Sequence, residues 1–181
     1  HHGALRHAGP VRRALGFRTI LNLLGPMTNP AGATHQLVGI FDPTRVTTMA
    51  EVLGRLGAKR ALVVHGCDGL DEITLAGVTQ AALWQGSEVE QLEITPEDVG
   101  IERADTSLLA GGDAQHNAQI VRDVLGGGSG PCSDIVRLNA GASLWVAEAA
   151  QSLNEGVEQA TELLASGEAL RRLEALVTRS Q

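Results

Sequence analysis

Three carboxylates crowd one short turn. Ala61-Leu62-Val63-Val64-His65-Gly66-Cys67-Asp68-Gly69-Leu70-Asp71-Glu72-Ile73 brings Asp68, Asp71 and Glu72 close together in the chain. Acids grouped this way suit a Mg2+–phosphate site, in which one or two carboxylates bind the ion and water and phosphate oxygens complete the octahedron. They equally suit a solvated turn, because Asp and Gly are ordinary turn residues. The residues ahead of them give the position. Ala61 to Val64 is an unbroken apolar run, as expected of a strand buried on both faces in a parallel sheet, and Gly66 and Gly69 then break it. In open α/β sheets ligand sites lie just past the carboxyl ends of such strands.

The neighbouring elements decide whether that strand belongs to such a sheet. His35 to Phe41 reads as a strand, and Asp42-Pro43-Thr44 as a turn with Asp42 or Thr44 able to cap. Val46 to Leu56 is an amphipathic helix with Met49, Val52, Leu53 and Leu56 at helical spacing, stopped by Gly57. With Arg60 to Val64 this makes a βαβ unit with parallel strands and a right-handed crossover. Val78 to Trp84 and Glu88 to Ile94 read as an antiparallel hairpin turning at Gln85-Gly86-Ser87, followed by a short helical turn opened by Thr95-Pro96-Glu97-Asp98.

The remainder is helical. Residues 114–125 form a helix with Ala118, Val121 and Leu125 facing inward. The break Gly126-Gly127-Gly128-Ser129-Gly130 lacks the Lys-Ser/Thr ending of a phosphate loop and follows no strand, so it reads as a helix–helix connection. Ser133 or Asp134 caps an Ala-rich helix running to Ala150, and two surface helices follow over 155–166 and 168–178. At the start, residues 4–15 read as a helix ended by Gly16. Gly25-Pro26 and Asn29-Pro30 after the apolar segment Ile20 to Leu24 read as two proline turns in a stiff loop, a shape suited to walling a ligand. The fold class is α/β, with a mixed, mainly parallel sheet and flanking helices.

Bulk properties narrow the function. A length of 181 residues with 43% apolar content supports one core, and 2% aromatics with no Tyr leaves that core to Leu, Val, Ile and Ala. A net charge of −7 argues against a nucleic-acid binder, while a single local Arg still suffices to draw an anionic substrate. Cys67 and Cys132 match no metal or disulfide spacing, which points to a reducing, cytoplasmic setting. No run approaches about 18 apolar residues and no signal peptide is evident, so no membrane association is expected. The chain opens on His1-His2 without Met and is expected to begin inside a larger protein.

Taken together, several segments resemble the anthranilate phosphoribosyltransferase family. They are His1-His2-Gly3-Ala4-Leu5-Arg6-His7, Val11-Arg12-Arg13 with Leu15-Gly16, and Arg18-Thr19-Ile20-Leu21-Asn22-Leu23-Leu24-Gly25-Pro26-Met27-Thr28-Asn29-Pro30-Ala31. Val64-His65-Gly66 with Asp68 to Ile73, Gly111-Gly112-Asp113 with Asn117-Ala118, and Leu138-Asn139-Ala140 complete the pattern. The resemblance implies that Arg12 contacts the anthranilate carboxylate, that His2 lines the same pocket, and that Gly25-Pro26 walls the aromatic ring. It implies that Asp71 and Glu72 bind Mg2+ shared with the pyrophosphate of phosphoribosyl pyrophosphate. It leaves Asp68, His65, Gly111, Gly112, Asp113 and Asn117 to structural roles, and assigns no catalytic acid or base. It further implies a catalytic domain of the nucleoside phosphorylase/phosphoribosyltransferase type, of which residues 1–181 are the C-terminal part. The family's N-terminal helical domain, its main homodimer contacts and its Gly-Thr-Gly-Gly-Asp phosphate loop are absent, and His2-Gly3-Ala4-Leu5 stands where the family has His-Pro-Ala-Met. A pyrimidine nucleoside phosphorylase-like enzyme and a non-catalytic binding module of the same fold are the competing expectations.

Overall fold

The computed structural model describes Gly9, Val11, residues 14–16 and residues 21–180. Most of the expected first helix lies outside the described residues, as do His2 and Arg12. The elements that follow are α1 (Leu21–Met27), β1 (His35–Gly39), α2 (Val46–Arg55), β2 (Arg60–Gly66), β3 (Thr79–Gln85) and β4 (Val89–Ile94). The helices α3 (Ala114–Leu125), α4 (Pro131–Val146), α5 (Leu153–Ala165) and α6 (Glu168–Ser180) complete the chain. Short 3-10 turns occupy Pro43–Arg45, Pro96–Val99 and Thr106–Leu109.

The four strands form one sheet in the order β1-β2-β3-β4. β1 and β2 pair in parallel, with Val38 opposite Val63, as the βαβ reading requires. β2–β3 and β3–β4 are antiparallel, so among the described residues the sheet is mixed as expected but mainly antiparallel rather than mainly parallel, because the hairpin adds two antiparallel pairings to the single parallel one of the βαβ unit. Strand alternation sends β2 both ways. Ala61 and Val63 face a cluster with Val38, Ile40, Met49, Ala50, Leu53 and Ala82 beneath α2. Leu62 and Val64 face the opposite cluster with Leu75, Leu83, Leu138, Ala142, Val146 and Val157 beneath α4 and α5. An apolar run without alternation is thus what a strand covered on both faces needs.

Four further expectations are corrected. Gly25 and Pro26 do not form a proline turn but lie within α1. Pro26 falls in the last turn of α1, and Leu23 and Met27, both partly buried, pack against the α2 cluster and hold the segment helical. The second turn exists as expected: Asn29 Oδ1 accepts from the Ala31 N–H at 3.0 Å. On α3 it is Val124 that is buried, while Ala118 and Val121 are exposed, because only the C-terminal turn of α3 reaches the core. α4 starts at Pro131 rather than at Ser133 or Asp134, and ends at Val146 rather than Ala150, with proline in its opening turn. α5 is not a surface helix: it buries Gly156, Val157, Ala160 and Leu164.

α4 and α5 cross at two glycines. A Cβ on Gly141 would stand 2.6 Å from Val157 Cγ2 and 2.6 Å from the Val157 nitrogen, and one on Gly156 would overlap the Gly141 carbonyl. In an ordinary helix Gly→Ala gains roughly 1 kcal/mol. Here backbone stands in the way, and overpacking of this kind costs about 1–3 kcal/mol. Gly156→Ala is therefore expected to be destabilising, opposite in sign to helix propensity, with a lowered urea midpoint and an unchanged slope.

Candidate active site

The end of β2 turns back tightly on itself. The Gly69 N–H donates to the Gly66 carbonyl at 2.9 Å, and the Gly66 N–H to the Leu70 carbonyl at 2.9 Å. Asp68 fastens this turn. Its Oδ2 accepts from the Thr74 hydroxyl at 2.8 Å and from the Thr106 hydroxyl at 2.6 Å, and its Oδ1 accepts from the Leu70 N–H at 3.3 Å. Asp68 thus ties the turn to the segment at Thr106–Leu109, the structural role expected of it.

Partial burial pushes the Asp68 carboxyl up. The hydrogen bonds from Thr106, Thr74 and Leu70 together outweigh that and hold it below the ordinary carboxylate range. With the folded value depressed, its stabilisation is full above the unfolded value of about 4 and disappears as pH falls through the folded value. Asp68→Asn is thus expected to be less stable than the wild type at pH 7, with the gap closing below about pH 4. Chemical denaturation at a series of pH values reads this directly.

Asp71 and Glu72 follow, both exposed, and among the described residues neither forms an ion pair. Two features fix the chain around them. The main chain of Asp71 presses on the end of β1: a Cβ on Gly39 would overlap the Asp71 carbonyl and stand 3.0 Å from its Cα. Directly after Glu72, Ile73 is fully buried and its backbone is held by the Asn139 side chain from α4. The acidic pair is therefore displayed at the carboxyl end of the parallel strands, backed by β1 and by α4.

Two adjacent exposed carboxylates fit an ion that keeps water and phosphate oxygens in its shell. They do not make an all-protein cage, and among the described residues no group of three His, Cys, Asp or Glu side chains is placed to hold a metal.

Of the remaining expected site residues, Gly25 and Pro26 are described, both on α1. Pro26 shares a small cleft with Gln36, Leu56, Gly57 and Ala58. Those residues mark the amino-terminal end of β1, roughly 10 Å from the Gly39 end at about 3.3 Å per strand residue. His2 and Arg12 fall outside the described residues. His65 is buried, and its Nδ1 lies 2.8 Å from the Ile40 carbonyl, joining the ends of β1 and β2. Asn117 braces the Gly111-Gly112 loop: its Oδ1 accepts from the Gly112 N–H at 2.8 Å and its Nδ2 donates to the Gly112 carbonyl at 3.1 Å.

Gly39 and Asn139 carry no site role in the sequence reading. A signal existed for each. A Gly between Val38 and Ile40 inside a strand marks a close backbone approach. An Asn within an apolar helix interior is a poor helix former that needs specific partners.

Comparison with known proteins accords with this geometry. The glycosyl transferase family, a/b domain, matches residues 1–170. The chain belongs to that family. Among curated members, anthranilate phosphoribosyltransferase of Rubrobacter xylanophilus is 55% identical over 178 residues, 98% of this chain and 52% of the relative. The crystal structure of anthranilate phosphoribosyltransferase from Thermus thermophilus superposes with a TM-score of 0.90 at 47% identity, over 98% of this chain and 52% of that one. The Saccharomyces cerevisiae enzyme in complex with PRPP and Mg superposes with a TM-score of 0.86 at 26% identity, over 96% of this chain and 50% of that one. The chain thus spans about half the length of the family members it matches. Among the described residues no helix is long and apolar enough to cross a membrane.

Proposed function

We propose that these residues are the C-terminal part of an anthranilate phosphoribosyltransferase, which moves the 5-phosphoribosyl group from phosphoribosyl pyrophosphate to the anthranilate amine in cytoplasmic tryptophan biosynthesis. The observation that carries this reading is the exposed Asp71-Glu72 pair at the carboxyl end of β2, on a fold shared with an enzyme solved with PRPP and Mg.

Asp71 and Glu72 would hold Mg2+, which neutralises charge building on the departing pyrophosphate. The bond from the anomeric carbon to pyrophosphate oxygen breaks as the bond to the amine nitrogen forms, and the acidic aryl ammonium so produced releases one proton to water. The aryl amine is neutral near pH 7, so its nucleophilicity needs no strong base, and the main task is alignment. Arg12 would fork onto the anthranilate carboxylate with two charge-assisted bonds, His2 would line that pocket, and Gly25-Pro26 would wall the ring. These last roles rest on the sequence resemblance alone.

The test follows loss of anthranilate fluorescence with phosphoribosyl pyrophosphate, with and without Mg2+. It is run on this chain and on the polypeptide completed with the part of its relatives' length that it does not span. Mg2+-dependent turnover in the completed polypeptide supports the transferase. A folded completed polypeptide without turnover or Mg2+-dependent binding of phosphoribosyl pyrophosphate sinks it.

A further inference from the structure

Asn139 sits in the ninth position of a 16-residue helix, flanked by the buried Leu138 and followed by the buried Ala142. An amide there disfavours the helix and must satisfy its own donors and acceptor. Asn139 satisfies them by reaching across to Ile73. Its Oδ1 accepts from the Ile73 N–H at 2.9 Å, and its Nδ2 donates to the Ile73 carbonyl at 2.9 Å and to the Ile135 carbonyl at 3.0 Å. Residue 73 belongs to no strand, so its main chain lacks a ladder partner beside a side chain that is fully buried. The amide supplies what a neighbouring strand would have supplied.

We propose that Asn139 is a positioning residue for the acidic pair, holding Asp71 and Glu72 in their Mg2+-binding arrangement before the ion arrives. Its role rests on the Mg2+ reading of that pair. Gly39 backs the chain at Asp71 and Asn139 grips it at Ile73, so Glu72 lies between two fixed points. A loop fixed in advance loses less conformational freedom on binding. With the grip released, Asp71 and Glu72 must be ordered by the ion itself, and affinity falls. Removing such outlying supports of metal ligands generally costs about 10–100-fold in metal affinity or activity.

The experiment uses the completed polypeptide with Asn139→Ala, Asn139→Asp, Asp71→Asn and Glu72→Gln. Val157→Ala serves as a packing control in the same core cluster. Three readouts are taken: Mn2+ binding by EPR with phosphoribosyl pyrophosphate present, turnover against Mg2+ concentration, and amide exchange over residues 70–75 without metal. Asn139→Ala is expected to weaken Mn2+ binding about tenfold or more. It should raise the Mg2+ needed for half-maximal turnover, recover the rate at saturating Mg2+, and speed exchange at Ile73. Val157→Ala should lower stability and leave Mn2+ binding unchanged. Asn139→Asp keeps the acceptor but turns a carboxylate towards the Ile73 carbonyl, so it shifts binding the same way and serves if the alanine variant does not fold. Wild-type Mn2+ binding in the Asn139 variants, beside weakened binding in Asp71→Asn and Glu72→Gln, overturns the role of Asn139 alone. Unchanged binding in Asp71→Asn and Glu72→Gln overturns the acidic-pair reading and the role of Asn139 with it.

Discussion

In the completed polypeptide, Asp71→Asn combined with Glu72→Gln is expected to lower Mg2+-dependent turnover about a hundredfold or more while leaving stability as before. Both side chains are exposed and unpaired among the described residues, so their loss removes no packing and no ion pair. Surface changes of this kind usually stay within about 0.5 kcal/mol of neutral. The chemical effect is far larger. Metal neutralisation of a leaving phosphate is worth several kcal/mol, and each step of about 1.36 kcal/mol is tenfold in rate, so a loss on the order of a hundredfold or more follows. The two scales separate function from fold within one pair of variants. Anthranilate fluorescence against Mg2+ concentration gives the first and thermal unfolding gives the second. A variant that turns over normally, with the same Mg2+ dependence, removes the acidic pair from the mechanism.

Gly39→Ala is expected to damage both. Alanine is the better strand residue by propensity, since glycine costs roughly 0.5–1 kcal/mol in an element interior. That gain is overtaken because the new Cβ would overlap the carbonyl of Asp71, a main-chain atom that no rotamer change can withdraw. Either β1 leaves its register with β2 or the acidic loop moves off. Overpacking against fixed backbone costs about 1–3 kcal/mol, and at roughly 2–4 °C per kcal/mol for a chain of this size the melting temperature falls by several degrees. Because the displaced carbonyl belongs to Asp71 itself, the Mg2+ requirement should rise together with the loss of stability. A stable variant with an unchanged Mg2+ requirement shows that the loop is not held by this contact.

Gly39 and Asn139 also mark the boundary between what can be read along the chain and what cannot. Local pattern carries β2, α2 and the hairpin β3–β4, because burial on two faces, helical spacing and turn residues are each written into neighbouring positions. Local pattern misplaces Gly25-Pro26, whose turn-forming types are overruled by the packing of Leu23 and Met27 against the α2 cluster. It also mistakes α5 for a surface helix, because the Glu residues on its outer face hide the small residues that meet α4. The order of residues was enough for the βαβ unit and for the acidic turn beyond its second strand, and the family resemblance singled out Asp71 and Glu72 over Asp68. What holds that turn came only with the folded chain. Gly39 precedes Asp71 by 32 positions and Asn139 follows Ile73 by 66, and only folding brings them to the same few ångströms of backbone. Contacts of that separation leave no periodicity in a chain, since each depends on the sheet and α4 having already packed around the loop.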